Sequence, residues 1–355
     1  MKIILIILAL VLIIATLTPL IRQSAWWIRV FDFPRLQILI MGLVVLAAFF
    51  FFWDVQNIFE GITFTVLAAA ILVQSYNIFP HTFFAAKQVR DTSADTPGNT
   101  ISLLIANVLM DNRNVQRFLA IAREADADIV LMLEPDQWWE EQVRELEVKY
   151  AYTVKKPLDN RYGMLLYSKF ELVAPEIKFL LKEGIPSIHT EVKLPSGQLI
   201  RMHCLHPEPP SPTEADTSIY RDAELLIVGK EVKNSTQPVI VAGDLNDVAW
   251  SYTTTLFQKT SGLLDPRIGR GMFNSYHAKH PLIRWPLDHL FHSEDFLLVR
   301  VIRMPAFGSD HFPIYIKLSL NSNAEKFQES PEEPDAEDKE FIADTLQKVE
   351  QKQTI

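Results

Sequence analysis

Three stretches near the start of the chain carry no charged residue: Ile3 to Ile21, Leu36 to Trp53 and Gly61 to Pro80, of 19, 18 and 20 residues. A helix rises about 1.5 Å per residue and needs roughly 20 residues to cross a bilayer, so the pattern predicts a transmembrane region over residues 1–90 with helices at about 3–21, 36–53 and 61–80. The first run is too long for a signal peptide, and Thr16-Leu17-Thr18-Pro19 is a poor cleavage site. Trp26, Trp27, Trp53 and Tyr76 fall near the ends of the runs, where amphipathic rings settle at lipid headgroups. Three buried core helices are the ordinary alternative, but successive charge-free runs of this length are rare in soluble domains.

Beyond Arg90 the pattern changes. Asp91 to Asn99 is polar and turn-rich, which predicts a linker over 91–99. From there to Leu320, short apolar runs alternate with segments of helical spacing. Ile101–Ile105, Ile129–Leu133, Met164–Tyr167, His189–Val192, Leu199–Leu205, Val239–Ala242 and Pro313–Leu320 read as strands, and Leu290-Phe291 as the start of another. Val115–Ala125 and Thr217–Val232 read as helices. The order predicts an α/β sandwich over residues 100–320 rather than a purely parallel sheet, and no glycine-rich phosphate loop is present. Residues 321–355 are acidic, contain Pro331 and Pro334, and read as a disordered, solvated tail with one weakly amphipathic stretch around Phe341, Leu346 and Val349.

Charge sharpens this picture. The chain is 48% hydrophobic with a net charge of −9, but the charge is unevenly spread: +3 up to Arg90, −6 in the middle and −6 from Asn321 onward. An acidic middle is a poor generic binder of polyanions, because duplex affinity relies on Lys and Arg neutralising phosphates. Arg22, Arg29 and Arg35 occupy the first loop, the second loop (Asp54 to Glu60) has no base, and Lys87 and Arg90 follow the third run. The positive-inside rule therefore places the first loop and everything after Arg90 on the cytoplasmic side. The single cysteine, Cys204, excludes an internal disulfide framework and a multi-cysteine zinc site.

Candidate chemistry lies where the strands stop. Asn107, Glu134, His206, Asp244 with Asn246, Asp288, and Asp310 with His311 all follow or adjoin predicted strands, where a rigid backbone lets side chains converge. Each has an ordinary explanation alone: a helix cap for Asn107, a first-turn acid for Glu134, a loop histidine for His206, surface pairs for Asp288-His289 and Asp310-His311. Gly243-Asp244-Leu245-Asn246 is harder to dismiss. The glycine permits a tight exit from the strand, and Asp244 and Asn246, two apart in extended chain, face the same way. A carboxylate beside a neutral amide suits a site that orients water and hydrogen-bonds an oxyanion.

Taken in order, ANVLMDN, IVLMLEPD, RYGMLLYSK, HCLHPEPP, VAGDLND, WPLDHLFHS and GSDHFPI resemble the endonuclease/exonuclease/phosphatase superfamily, in a membrane-anchored, bacterial-type form, over about Thr100 to Leu320. The resemblance implies a DNase I-like, four-layered α/β sandwich of two mixed β-sheets flanked by helices, and Mg²⁺-dependent cleavage of a phosphoester, with Mn²⁺ as a substitute. It implies Glu134 as the principal metal ligand, with Asn107 beside it and Asp310 at the second acidic position. It implies Asp244 orienting or deprotonating the attacking water, and Asn246 contacting the phosphate. His311 would face the phosphate, held by Asp288, and His206 matches the histidine many members carry on the strand before GDLN. This agrees with the preference of Mg²⁺ for a few carboxylate oxygens over a His/Cys cage.

Two departures matter. Val108-Leu109 follows Asn107, so the extra acid of some DNA-repair members is missing, and no long basic insertion is present to grip a duplex. The expectation is therefore a multi-pass protein of the bacterial inner or plasma membrane, hydrolysing a phosphoester or pyrophosphate, including lipid-linked ones, with nucleic acid disfavoured. The rivals are a membrane-anchored nuclease and a catalytically silent interaction scaffold. The filled catalytic positions argue against the scaffold.

Overall fold

The computed structural model describes residues 2–52, 54, 56–93 and 97–353. Trp53 and the middle of the expected linker, residues 94–96, lie outside the described residues. Among the described residues, three helices are long and apolar enough to cross a membrane: α1 (Lys2–Leu17, extended to Leu20 by a 3-10 turn over Pro19), α3 (Arg35–Phe52) and α4 (Ile58–Ile78). The single turn α2 (Trp26–Arg29) lies between the first two. The third helix starts three residues earlier than Gly61, because the Asn57 side chain accepts from the N–H groups of Phe59 and Glu60 and caps it. Gly42 lets α3 close on α4, since a Cβ there would lie 3.0 Å from Ile71 Cγ1. Buried apolar residues such as Leu12, Val45 and Leu67 hold the helices together, while Ile4, Val44 and Leu72 face outward. A chain of buried polar contacts closes the end of the bundle nearest the rest of the protein: Gln74 donates to Thr16 Oγ1, Arg35 reaches Gln74 and Asp32, and Arg29 pairs with Asp32 at 3.2 Å.

The remainder is built on two mixed sheets. The first contains β1 (Thr100–Asn107), β2 (Ile129–Leu133), β3 (Tyr152–Lys156) and β4 (Met164–Ser168), joined by β10 (Phe296–Arg303) and β11 (Ile314–Leu320), in the order β10-β11-β1-β2-β4-β3. The second is β5 (Glu171–Lys178), β6 (Ser187–Lys193), β7 (Leu199–Leu205), β8 (Val239–Asp244) and β9 (Asp288–His292), paired in chain order. Each sheet has one parallel pair, β1 with β2 and β7 with β8; the other pairings are antiparallel. The sheets face each other across a core that includes Leu103, Leu131, Met202 and Ile240. α5 (Val115–Ala125) and α6 (Gln137–Gln142) cover the outside of the first sheet, where Phe118 and Trp139 pack edge to face. α7 (Ile219–Lys233) and α8 (Tyr252–Ser261) cover the second, through Leu225, Val228 and Phe257. This is the expected four-layered sandwich of two mixed sheets, preceded by an all-helical segment.

Two expectations need correction. The acidic tail is not simply disordered: its last part forms α9 (Ala336–Gln353), which packs on α7 and α8 through Ile342, Leu346 and Val349. Buried Asp338 pairs with Lys259 at 2.9 Å and accepts from Tyr252 Oη. The weak apolar period was enough to dock, because α7 and α8 offer it a complementary apolar strip. The linker is also less separate than its composition suggested. Val89 is fully buried in the core between the sheets, and Arg90 and Thr92 pair with Leu298 on β10.

The helical segment is fastened to the sandwich at several points. Trp26 N–H donates to Asp216 O (3.0 Å), Ser218 N–H to Ser24 O (2.7 Å), Trp250 Nε1 to Asp32 O (2.8 Å) and Gly269 N–H to Pro80 O (2.8 Å). Trp250 and Ile78 share an apolar cluster, with Phe33 and Leu36 packed against it.

Candidate active site

The strand pairings bring the chemistry-bearing residues to one rim. Asn107 ends β1, and Glu134 follows its parallel partner β2, whose Leu133 lies beside Asn107. On the facing sheet, His206 follows β7 and Asp244 ends β8, with Leu205 beside Gly243. Asp288 begins β9 directly opposite Asp244. Asp310 and His311 occupy the loop entering β11, which pairs with β1.

The side chains interlock. Asn107 Nδ2 donates to Glu134 Oε1 (2.7 Å) and to Asp244 Oδ2 (3.1 Å), bridging the two sheets. Its oxygen accepts from Leu109 N–H, so here it links the carboxylates. His311 Nδ1 bonds Asp288 Oδ2 at 2.7 Å, while Nε2 lies 3.5 Å from Asp244 Oδ2. Burial opposes the imidazolium of His311, but the carboxylates of Asp288, Asp244 and Asp310 outweigh it and raise its pKa to about 10. Burial also pushes Asp244 upward, against the pull of His311. Desolvation lifts Glu134 to about 7, with Asn107 opposing. Burial lowers His206, whose ring lies 5.4 Å from that of Tyr162.

Glu134 Oε2 is buried with no hydrogen-bond partner among the described residues, an expensive state for a carboxylate oxygen. Beside Asp310 it is the donor set a hard divalent cation takes, so the residues present fit such an ion. Asp244, Asp288 and His311 also offer atoms within 4.8 Å of one another, but the Asp288–His311 bond already engages that imidazole.

The backbone is bent to achieve this. Glu134 (φ 63°) and Asn246 (φ 50°) both adopt the left-handed region, which clusters at functional sites because it costs about 1 kcal/mol or more per residue. The extended-chain reading of Asp244 and Asn246 is therefore corrected: the chain turns, Asn246 N–H donates to Asp244 Oδ1, and its amide donates to Pro207 O. Gly243 (φ 149°) is needed here, since a Cβ would sit 1.9 Å from Leu205 O.

Six of the eight candidates (Glu134, His206, Asp244, Asn246, Asp310 and His311) line a single cavity of about 660 Å³, and Asn107 and Asp288 stand behind them. Further residues complete the support: Ser309, which lies within the GSDHFPI motif, and Arg221 and Arg267, which carried no sequence signal. Ser309 Oγ donates to Asn107 O and accepts from His311 N–H, tying the His311 loop to β1. Arg221 reaches from α7 to Asn246 O, and Arg267 links Asp265, His289 and Asp288 O behind the histidine pair. The Tyr276 ring lies 5.0 Å from His311.

The sequence profile of the Endonuclease/Exonuclease/phosphatase family matches residues 104–311, and the chain belongs to this family of metal-dependent hydrolases of phosphoester bonds. No curated protein matches it. Its fold is similar to D. rerio TDP2 complexed with single strand DNA product (18% identity, TM-score 0.52, 62% of this chain and 99% of that one). It is also similar to the human Nocturnin catalytic domain with bound sulfate (15%, 0.52, 68% and 99%) and to a family protein from Bacteroides thetaiotaomicron (17%, 0.51, 63% and 96%).

Proposed function

We propose that this protein is a multi-pass protein of a bacterial plasma membrane that hydrolyses a phosphoester or pyrophosphate with Mg²⁺, including lipid-linked substrates. The observation that carries the reading is the unpartnered, buried Glu134 Oε2 at the edge of a cluster that also holds a charged histidine–aspartate pair. Glu134 and Asp310 would hold the ion, with Asn107 beside them, and the ion when bound supplies polarisation of the phosphoryl oxygen.

The chain's own residues do the rest. Asp244, with its raised pKa, orients the attacking water and accepts its proton. His311 is protonated near neutrality and presents Nε2 to the negative charge developing on the phosphoryl oxygens. Asp288 fixes its orientation and supports its charge through Nδ1–H. Asn246 has a second amide hydrogen free of Pro207 with which to bind a phosphoryl oxygen, and His206, neutral and buried, shapes the floor. The basic first loop and the catalytic domain share one end of the helical bundle, which supports a cytoplasmic domain by the positive-inside rule.

The test is hydrolysis of phosphoester and pyrophosphate substrates by the full-length protein in detergent, with Mg²⁺, Mn²⁺ or EDTA, and with His311→Ala as control. Activity that needs the metal and His311 supports the reading; silence on every substrate by folded protein moves the interaction scaffold to the front. A membrane-anchored nuclease is the second reading, favoured by the likeness to TDP2 complexed with single strand DNA product. It predicts metal-dependent cleavage of DNA or RNA with steep salt dependence.

A further inference from the structure

The cavity that holds the candidate catalytic side chains is not made by the catalytic domain alone. Trp26, Val30 and Phe33, from the segment between the first two membrane-spanning helices, form one of its walls, together with Gln37 at the start of α3. Ile283 and Trp285 contribute an apolar surface to the same cavity from the loop before β9. The polar groups, Glu134, Asp244 and His311 among them, share that space. A volume of about 660 Å³ is in the range of sites that enclose a whole small ligand, and is far more than a phosphoryl group fills.

The rim continues the same chemistry outward. Val30 is 47% exposed and Ile283 47%, while their neighbours Trp27 and Leu282 are 54% and 82% exposed. Gln37 Nε2 donates to Leu282 O, so the two lips are joined. The lips lie where α3 begins, at the end of the helical bundle fastened to the sandwich, the level at which a bilayer would end. Apolar side chains left exposed at that level rest in lipid at no cost.

We infer that the cavity receives an amphiphilic phosphoester from the bilayer: its phosphoryl group meets Glu134, Asp244 and His311, and its hydrocarbon chain lies along Trp26, Val30 and Phe33. This rests on the phosphoester-hydrolase reading above and names its substrate class. A single-stranded nucleic acid also likes aromatic walls, but it needs a cationic track for its backbone. Arg161, the one lysine or arginine lining the cavity among the described residues, is already paired with Asp111, and the charge of His311 is held by Asp288.

The experiment uses full-length protein at minimal detergent, with Mg²⁺ and a series of water-soluble p-nitrophenyl alkyl phosphates from methyl to hexyl, kept as monomers in water so that each chain leaves water when it binds. Each methylene that enters the apolar wall is expected to raise kcat/KM roughly two- to fourfold until the wall is filled. Val30→Asp and Phe33→Ser are expected to collapse the ratio of hexyl to methyl ester turnover by about tenfold or more, with circular dichroism showing that both variants fold. A flat chain-length series with robust, metal-dependent turnover would overturn the amphiphile inference and leave the hydrolase reading standing. Preferred cleavage of a single-stranded oligonucleotide would overturn it in favour of a nuclease. No turnover of any phosphoester, with either metal, would overturn both.

Discussion

Gly163 offers the sharpest test of how the candidate site is held. It lies just before β4, and its carbonyl oxygen accepts from Glu134 N–H at 2.9 Å. A methyl group built on Gly163 would meet Pro135 O at 1.9 Å and Leu158 N at 2.8 Å. Both are backbone atoms, so no side chain can swing away, and Pro135 must retreat by about 1 Å before the contact becomes tolerable. Pro135 is the residue after Glu134, so the displacement passes into the carboxylate proposed to hold the metal. Overpacking of this kind costs roughly 1–3 kcal/mol of stability. A shift of about 1 Å in a reacting geometry costs on the order of 100-fold in rate. Gly163→Ala is therefore expected to lower Tm by a few degrees, weaken Mg²⁺ activation and reduce kcat/KM by roughly two orders of magnitude. Gly197→Ala is the control: φ is +89° there, but nothing lies within 4 Å, so it carries local strain without touching the site. The assay is Mg²⁺-dependent hydrolysis alongside thermal melting. A folded Gly163→Ala protein with unchanged metal activation and rate would refute the claim that this close approach positions Glu134.

Three further outcomes follow from the same structure. Asp288→Asn removes the partner of His311 Nδ1 and is expected to cut kcat roughly 10²- to 10⁴-fold while Mg²⁺ activation is retained; adding His311→Ala should cost little more, because the pair acts as a unit. Glu224, buried on α7, is pushed to about 8 by desolvation. A carboxyl group raised in the folded state stabilises below its unfolded pKa, and this contribution is lost as pH rises through about 8. Wild type should therefore lose up to roughly 4 kcal/mol relative to Glu224→Gln between pH 5 and 9, and parallel denaturation curves at both pH values would count against it. Ending the chain at Gln328 removes α9 and uncovers Ile219 and Leu256; each apolar side chain α9 buries is worth about 1.5–3 kcal/mol before ordering costs, so Tm should fall by several degrees. An unchanged Tm would mean that α9 contributes nothing to stability.

Much of the architecture was readable because its strands are buried on both faces. Ile129–Leu133, an apolar run, and Leu199–Leu205, which alternates with Ile200, Met202 and Cys204 facing the core, match the observed strands residue for residue. Of the three strands absent from the expectation, Tyr152–Lys156 and Glu171–Lys178 lie at sheet edges with largely exposed side chains, where neither alternation nor an apolar run is required, whereas Phe296–Arg303 is an edge strand whose apolar start, Phe296 to Leu298, is buried. The candidate site was readable as a set of polar residues at strand ends, but its bonding was not. Asn246 sits in a turn that the extended-chain argument missed, because the left-handed backbone at that position depends on Pro207 and Arg221 from distant segments. Ser309 lies within the GSDHFPI motif, but its bond to Asn107 O is distant in sequence, and no local spacing announces that contact or those of Arg221 and Arg267.

The hydrogen bonds from Trp26, Trp250 and Gly269 across the boundary between helices and sandwich have one more consequence. An enzyme on a flexible tether sweeps a volume and samples whatever is dissolved near the surface. Here the catalytic rim is fixed in height and attitude by the helices that carry it. For the amphiphilic substrate proposed above, encounters would be two-dimensional: the velocity would follow the mole fraction of substrate in one leaflet rather than its bulk concentration, and inert lipid would slow the protein by dilution alone. The two products of such a substrate would part company at the rim, the hydrophilic fragment into water and the hydrocarbon fragment back into the leaflet, so that release of one would not wait on the other.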